Sequence, residues 1–187
     1  YLSPLKQHHE DSYEHSCRIS LMSIDLGIEN GFSHDDTRLL GLAGLLHDIG
    51  KIHIPKEILY KKSSLNPEEL KIMRAHPRLG FIELDDFEYD KVRLIVVSHH
   101  EYKPNPYPRS GEDRRKSRHS AEDRRMSDGE IGIMAQIVAV SDIYDALASR
   151  RSYKEPLSTG QIEEILIKQF KGDHRYIEQV LRRCAAD

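Results

Sequence analysis

The chain has 187 residues, of which 38% are hydrophobic and 32% charged, and its formal net charge is −3. This length can bury a core without disulfides, and no apolar run approaches the roughly 18 residues that a membrane span needs. The balanced charge excludes the overall basic field typical of nucleic-acid-binding proteins. The unusual feature is the count of 11 histidines, because histidine is the commonest transition-metal ligand.

Cysteine is rare, and its two copies, Cys17 and Cys184, lie at opposite ends of the chain. They lack a Cys-x-x-Cys spacing, so we expect two free thiols in a reducing compartment and hence a cytoplasmic protein. The chain begins at Tyr1 and shows no signal-peptide pattern. We interpret it as a piece of a longer protein.

Apolar residues recur with the period of an α-helix along most of the chain, which predicts an all-α fold of about seven helices. Ser33 and Asn66 are predicted N-caps, and Pro67 is typical of a first helical position. Pro55 is predicted to open a short helical turn, and Pro77 to end the helix before it. The predicted helices cover about residues 5–28, 33–47, 67–76, 88–100, 132–149, 158–170 and 174–184.

Residues 109–130 differ from the rest because nearly all of their side chains are polar or charged. They contain an imperfect repeat, Glu-Asp-Arg-Arg-Lys-Ser followed by Glu-Asp-Arg-Arg-Met-Ser. Such a segment buries too little apolar surface to order itself. We therefore expect a mobile loop inserted between two helices of a single domain, residues 1–187. Contact between its arginine pairs and phosphate or nucleic acid is the alternative, although the interspersed acids favour a solvated loop.

Metal-ligand side chains concentrate on the predicted helices and at their ends. A lone buried histidine is usually a hydrogen-bonded core residue, but several of them in one small chain indicate a metal site. A buried aspartate in an apolar helix, such as Asp142, is costly unless it is paired or bound to a metal. Mixed imidazole and carboxylate ligands suit Fe, Mn, Zn or Co better than Mg or Ca. The candidate residues are His15, His47, Asp48, His76, His99, His100 and Asp142.

The segment 45–59 has the sequence Leu-Leu-His-Asp-Ile-Gly-Lys-Ile-His-Ile-Pro-Lys-Glu-Ile-Leu. It resembles the signature of the HD superfamily of metal-dependent phosphohydrolases and, more narrowly, of the HD-GYP subfamily. Other segments similar to that subfamily are His76-Pro77 with Gly80, His99-His100-Glu101, and residues 138–147 and 151–154. Together they extend the resemblance over nearly all of residues 5–184.

The resemblance implies a compact helical bundle of the HD-domain type with a binuclear metal centre, commonly of iron or manganese. The seven candidate residues would be the metal ligands, and Asp48 would bridge the two ions. Some family members hold a third metal through a Glu four residues before the first histidine. This chain has Asp11 at that position. A third metal therefore stays open, and so does the alternative that Asp11 is a solvent-facing acid.

One segment departs from the family pattern. The motif after His-His-Glu is normally Asp-Gly-x-Gly-Tyr-Pro, whereas residues 103–108 are Lys-Pro-Asn-Pro-Tyr-Pro. Only Tyr107 and Pro108 match, and prolines in place of glycines predict a stiffer loop. Because this loop is tied to substrate and partner recognition in the family, the departure concerns the substrate more than the metal site.

The resemblance further implies hydrolysis of a phosphodiester by a hydroxide that bridges the two metals. Catalysis would involve Asp48 and Lys51, with Lys51 stabilising the developing negative charge or protonating the leaving group. The substrate contacts would come from Arg151, Lys154 and Tyr107. The expected substrate is a cyclic dinucleotide, with cyclic di-GMP as the leading candidate.

Two other functions stay open from the sequence alone. The altered loop is compatible with a catalytically weak or inactive metal-binding module that serves in signalling and protein interaction. An HD phosphohydrolase that acts on another nucleotide is the third hypothesis. By family likeness we expect a signalling-protein partner and a homodimer, and we expect neither a nucleic-acid polymer as partner nor a membrane span.

Overall fold

The computed structural model describes residues 1–104, 106, 129–149 and 157–184, and the regular elements among them are all helical. The all-α fold predicted from the sequence is confirmed. A 3₁₀ helix covers Ile49–His53. The α-helices are α1 (Leu2–His8), α2 (Glu10–Glu29), α3 (His34–Leu46), α4 (Lys56–Leu59), α5 (Pro67–Met73), α6 (His76–Glu83), α7 (Asp90–Ser98), α8 (Glu130–Ala148), α9 (Thr159–Gln169) and α10 (Arg175–Cys184).

Polar side chains begin two of these helices at the predicted positions. Ser33 Oγ accepts a hydrogen bond from the backbone N–H of Asp36 at the start of α3. Asn66 and Glu69 exchange side-chain to backbone hydrogen bonds at the start of α5, with Pro67 in its first turn. These caps satisfy backbone N–H groups that have no partner inside the helix.

The described residues form ten α-helices where about seven were expected, and two of the differences have a clear local cause. The helix predicted over 5–28 is interrupted at His9, whose extended backbone separates α1 from α2. His9 Nδ1 accepts a hydrogen bond from the Ser12 N–H, so this histidine acts as the N-cap of α2. Pro77 does not end a helix but lies in the first turn of α6, where its missing N–H costs no hydrogen bond.

Helix α8 lies at the centre of the core. It packs against α2, α3, α7, α9 and α10, and most of its side chains are buried. It is also the one helix among the described residues that is long and apolar enough to cross a membrane, and most of it is buried inside the protein. Its place between other helices accounts for an apolar surface on all sides. Two acids near its end, Asp142 and Asp145, are buried as well.

Helices α2 and α3 come into close backbone contact at Gly44. A Cβ atom at this position would lie 3.0 Å from the Ile19 carbonyl oxygen and 3.0 Å from the Ser20 nitrogen. Glycine therefore allows an approach that any other residue would oppose. His15 lies one turn before Ile19, and His47 lies one turn after Gly44. The contact therefore brings these two imidazole rings together, with centroids 5.2 Å apart.

The 3₁₀ helix packs against α6 at Gly50. A Cβ atom at Gly50 would lie 2.0 Å from the His76 carbonyl oxygen and 2.4 Å from the Gly80 nitrogen. Both are helix backbone atoms, so they cannot rotate away as the end of a side chain could. Because Asp48 lies two residues before Gly50, this contact sets the position of Asp48 relative to His76.

Several predicted features lie outside the described residues. They include the three expected substrate contacts, Tyr107, Arg151 and Lys154, and all but the last two residues of the charged segment 109–130. The expected loop and the expected contacts remain predictions.

We expect Gly50→Ala to lower the free energy of unfolding by about 3 kcal/mol, because the added methyl group overlaps backbone atoms of α6. Gly160→Ala is the matched control, since a Cβ atom there meets nothing within 4 Å and alanine favours the helix. Chemical denaturation of both variants gives the difference. Equal stability of the two variants would contradict the close contact at Gly50.

Candidate metal centre

Six predicted ligand residues form two buried groups near the centre of the bundle. In each group the ligand atoms lie within 4.8 Å of one another, which is close enough to hold a metal ion. The residues come from separate helices or the turns that follow them, so the fold rather than a local motif assembles the site. The first group is His15, His47 and Asp48, and the second is His76, His99 and His100.

The carboxylate of Asp48 lies between the two groups. Its Oδ1 is 3.1 Å from His76 Nε2, in the second group. Its Oδ2 is 3.4 Å from His47 Nε2 and 4.0 Å from His15 Nε2, in the first group. Each oxygen therefore faces a different set of imidazoles, as a carboxylate that bridges two metal ions must do.

Asp142, from the core helix α8, takes a similar position. Its Oδ1 lies 3.2 Å from His15 Nε2, and its Oδ2 lies 3.9 Å from His100 Nδ1. The structure thus brings all seven candidate residues together, with two carboxylates that each face both histidine groups.

Three histidines are oriented by carbonyl groups at helix ends. The Nδ1–H of each donates to the carbonyl oxygen three residues earlier, in the last turn of α3, α5 or α7, where carbonyls lack an intrahelical partner. This bond fixes the tautomer and leaves Nε2 as the ligand atom. The pairs are His47 with Gly44 at 2.8 Å, His76 with Met73 at 2.8 Å and His99 with Val96 at 2.6 Å.

His15 is oriented by a carboxylate instead. Its Nδ1–H donates to Asp145 Oδ2 at 2.7 Å, and Arg18 Nε and Ser149 Oγ donate to Asp145 Oδ1 at 2.6 and 2.7 Å. A carboxylate behind a ligand histidine fixes the ring and raises its basicity. Sequence reasoning did not assign Asp145 a role. A signal was present, because Asp145 follows Asp142 by three residues and so lies on the same helix face.

The electrostatics of the second group favour neutral imidazoles. Burial lowers the pKa of His76, and it lowers the pKa values of His99 and His100 well below the usual value. The positive charges of neighbouring histidines act in the same direction for His99. These three rings therefore keep a free lone pair at neutral pH, which is the form that binds a metal.

The two central carboxylates are ionised in spite of their burial. Burial favours the protonated acid, but Lys51 and His47 hold the pKa of Asp48 well below its usual range. Lys103 and His15 do the same for the pKa of Asp142. Burial would also lower the pKa of His15, yet its hydrogen bonds to Asp142 and Asp145 raise it. The site thus offers carboxylates in the charged form that coordinates cations.

The donor set fits a divalent transition metal. His47 Nε2 is buried and, within the described part of the chain, makes no hydrogen bond by geometric criteria. A buried polar atom without a hydrogen bond is rare in folded proteins, and a role in binding a metal ion explains it. Several imidazoles with carboxylates are ligands that suit Fe, Mn, Zn and Co. The helical fold and these His/Asp groups are therefore compatible with divalent metal binding.

Two lysines contact the central carboxylates. Lys51 Nζ donates to Asp48 Oδ2 at 2.5 Å, and Lys103 Nζ donates to Asp142 Oδ2 at 3.2 Å. Lys51 was expected at the site, whereas Lys103 was not assigned a role from the sequence. It lies in a proline-rich segment without helical periodicity, so no pattern pointed to it.

Asp11, the expected ligand of a third metal, has a different environment. It lies in the first turn of α2 and is exposed to solvent. Neither of the two ligand groups found among the described residues includes it. The suggested third metal remains a prediction.

The model of the HD domain family matches residues 3–176. The chain is 36% identical over 150 residues to a cyclic di-GMP phosphodiesterase of Thermotoga maritima, which covers 78% of this chain and 37% of the relative. It is 35% identical over 133 residues to the cyclic di-GMP phosphodiesterase response regulator RpfG of Xanthomonas campestris, which covers 67% of this chain and 30% of the relative. The chain thus spans about a third of the length of these curated relatives.

A solved structure agrees with the fold. The HD domain of the L. monocytogenes phosphodiesterase PgpH superimposes with a TM-score of 0.63 at 17% sequence identity, covering 97% of this chain and 93% of that one. At this identity the likeness concerns the fold alone. The family match over most of the chain confirms the HD-type resemblance found in the sequence, and the chain belongs to the HD domain family.

Proposed function

We propose that this domain is a metal-dependent phosphodiesterase that hydrolyses a cyclic dinucleotide, with cyclic di-GMP as the leading substrate. The observation that carries the proposal is the placement of Asp48, with one carboxylate oxygen toward each of two buried histidine groups. The names of the relatives support the reaction and the substrate class.

The proposed centre holds two divalent ions, with iron or manganese favoured. Its ligands would be the residues that the sequence indicated, and Asp48, which has one oxygen toward each histidine group, would be shared by both ions. The proposal leaves open a third ion, which Asp11 would help to bind. The ligands are His15, His47, Asp48, His76, His99, His100 and Asp142.

Divalent ions in such a site supply Lewis-acid activation of the phosphate and of the attacking water. The overall step adds water to phosphorus, breaks the bond to the ribose 3′ oxygen and transfers a proton to that oxygen, which yields the linear dinucleotide. Lys51 is placed for the electrostatic part of this step. Its Nζ contacts Asp48 Oδ2, and 20% of its side chain is exposed, so a substrate oxygen can reach it. Lys51 stabilises the developing charge or protonates the leaving oxygen.

Other parts of the proposal rest on the family pattern. Tyr107, Arg151 and Lys154 are proposed to contact the substrate. The chain is proposed to be one domain, residues 1–187, of a longer cytoplasmic protein, with a signalling protein as partner and a homodimer as its assembly.

We expect Asp48→Asn to reduce hydrolysis of cyclic di-GMP by at least about 1,000-fold, because activation by two metals contributes several kcal/mol to the transition state. The protein is loaded anaerobically with Fe or Mn, and metal content, linear product and circular dichroism are measured. Asp35→Asn is the control, since the Asp35 side chain is 85% exposed. We expect wild-type activity for the control and lost metal with an intact helical spectrum for Asp48→Asn.

The same experiment separates the alternatives. A wild-type protein with two metals per chain and no cleavage of cyclic di-GMP would contradict the proposed activity. If no other nucleotide is cleaved either, this result would favour the non-catalytic module. If another nucleotide in a test panel is cleaved, it would favour a phosphohydrolase for that nucleotide. A protein that binds one metal or none would contradict the binuclear centre.

We expect Asp145→Asn to weaken metal binding by about 10- to 100-fold, the usual effect of removing a partner that orients a metal ligand. The reason is the loss of the charge that holds the His15 ring. Competition with a chelator measures the affinity. Activity at saturating metal should approach that of the wild type, because Asp145 orients a ligand and does not touch the substrate. An unchanged affinity would show that the backbone alone positions His15.

A further inference from the structure

Lys103 occupies a position at the centre that the family motifs do not assign. Its Nζ lies 3.2 Å from Asp142 Oδ2, and 24% of its side chain is exposed. It follows His100 by three residues, in the turn after α7. Its ammonium group therefore lies beside a proposed ligand and remains within reach of a molecule that enters from solvent.

The backbone next to Lys103 is anchored to the core. The Tyr102 hydroxyl donates to the Gly132 carbonyl oxygen at 3.1 Å, and the Lys171 N–H donates to the Tyr102 carbonyl oxygen at 2.8 Å. The first bond ties the segment to α8, and the second ties it to the residues after α9. Lys103 is thus held at the site by its neighbour, unlike a lysine on a free loop.

The position of Lys103 parallels that of Lys51. Each lysine donates to one of the two carboxylates that face both histidine groups, and each keeps about a fifth to a quarter of its side chain exposed. The two lysines come from different segments, so they approach the centre through different carboxylates.

Once two metal ions are bound, the site that holds Lys51 and Lys103 would carry an excess of positive charge. Two divalent cations already exceed the charge of Asp48 and Asp142 before either lysine is counted. Bound cations are the largest charges in such a site and reverse the local electrostatics. A second ammonium group beside them is then unfavourable unless an anion binds. A phosphate group is the anion that would balance this charge and that also fits the proposed reaction.

We propose that Lys103 is a second phosphate-binding residue, which contacts a non-bridging oxygen of the substrate phosphodiester together with Lys51. The inference deepens the proposed function and rests on it. It concerns a residue in the segment 103–108, where this chain departs from the family pattern, so it would be a feature of this chain's own substrate site.

The test compares Lys103→Met with Lys103→Arg in metal-loaded protein from which free metal has been removed. We expect inorganic phosphate to bind Lys103→Met about 10- to 100-fold more weakly by isothermal titration calorimetry, the effect of losing one hydrogen bond from a charged donor. The kcat/KM for cyclic di-GMP should fall by a similar factor, and Lys103→Arg should recover most of both losses. Metal content should equal that of the wild type in all variants.

Lys91→Met is the matched control. Lys91 pairs with Asp36 and Glu130 at the surface, away from the centre, and 38% of its side chain is exposed. We expect this variant to bind phosphate as the wild type does.

Two results would overturn the inference. Unchanged phosphate affinity in Lys103→Met would show that Lys103 makes no contact with the anion. A lower metal content in that variant would show that Lys103 supports Asp142 rather than the substrate. A wild-type protein that binds phosphate through Lys103 but leaves cyclic di-GMP intact would support the inference and contradict the proposed function.

Discussion

The charge of Asp48, buried beneath the surface of a helical bundle, is the constraint on which the rest of the site depends. An isolated buried carboxylate is so costly that it would normally take up a proton. Here the imidazoles of His47 and His76 and the ammonium of Lys51 surround it and keep it ionised. These partners work only if the segment 47–51 and the start of α6 converge. The close contact at Gly50, which leaves no room for a side chain, brings these two segments together.

Helix ends supply the second part of the arrangement. A helix that ends inside a protein leaves carbonyl groups without partners, which is ordinarily a cost. In this bundle three such carbonyls accept the Nδ1–H groups of candidate ligand histidines, so one bond satisfies the helix end and orients the imidazole. Much of the site is therefore built at helix ends, and the interiors of α2 and α8 add His15 and Asp142.

The sequence was sufficient for features with a short-range physical signature. Helical periodicity predicted the all-α fold, and Ser33 and Asn66 were found as N-caps because their side chains act on the next few residues. The HD resemblance was drawn from motifs and confirmed by the family match. The seven candidate ligands were named from their residue types and positions, and the structure brings them together. Their role as ligands remains a proposal.

Local features with an ambiguous signal and contacts set by long-range packing escaped sequence reasoning. The break at His9 depends on a histidine acting as an N-cap, a role that its residue type rarely indicates. A proline can either end one helix or occupy the first turn of the next. The sequence alone therefore did not show that Pro77 belongs to the start of α6. Lys103 reaches Asp142 from a segment that Tyr102 anchors to α8, and these contacts have no local signal in the sequence.

The separation of the candidate ligand segments along the chain would also affect folding once metal ions bind. Residues 15, 47–48, 76, 99–100 and 142 are far apart in sequence, so ions held between them would close several long loops at once. Closing loops removes conformational freedom from an unfolded chain in the way that disulfide cross-links do. This chain has no disulfide among its described residues. Shared metal ligands would then serve as reversible cross-links, and part of the free energy of metal binding would appear as cooperativity in folding.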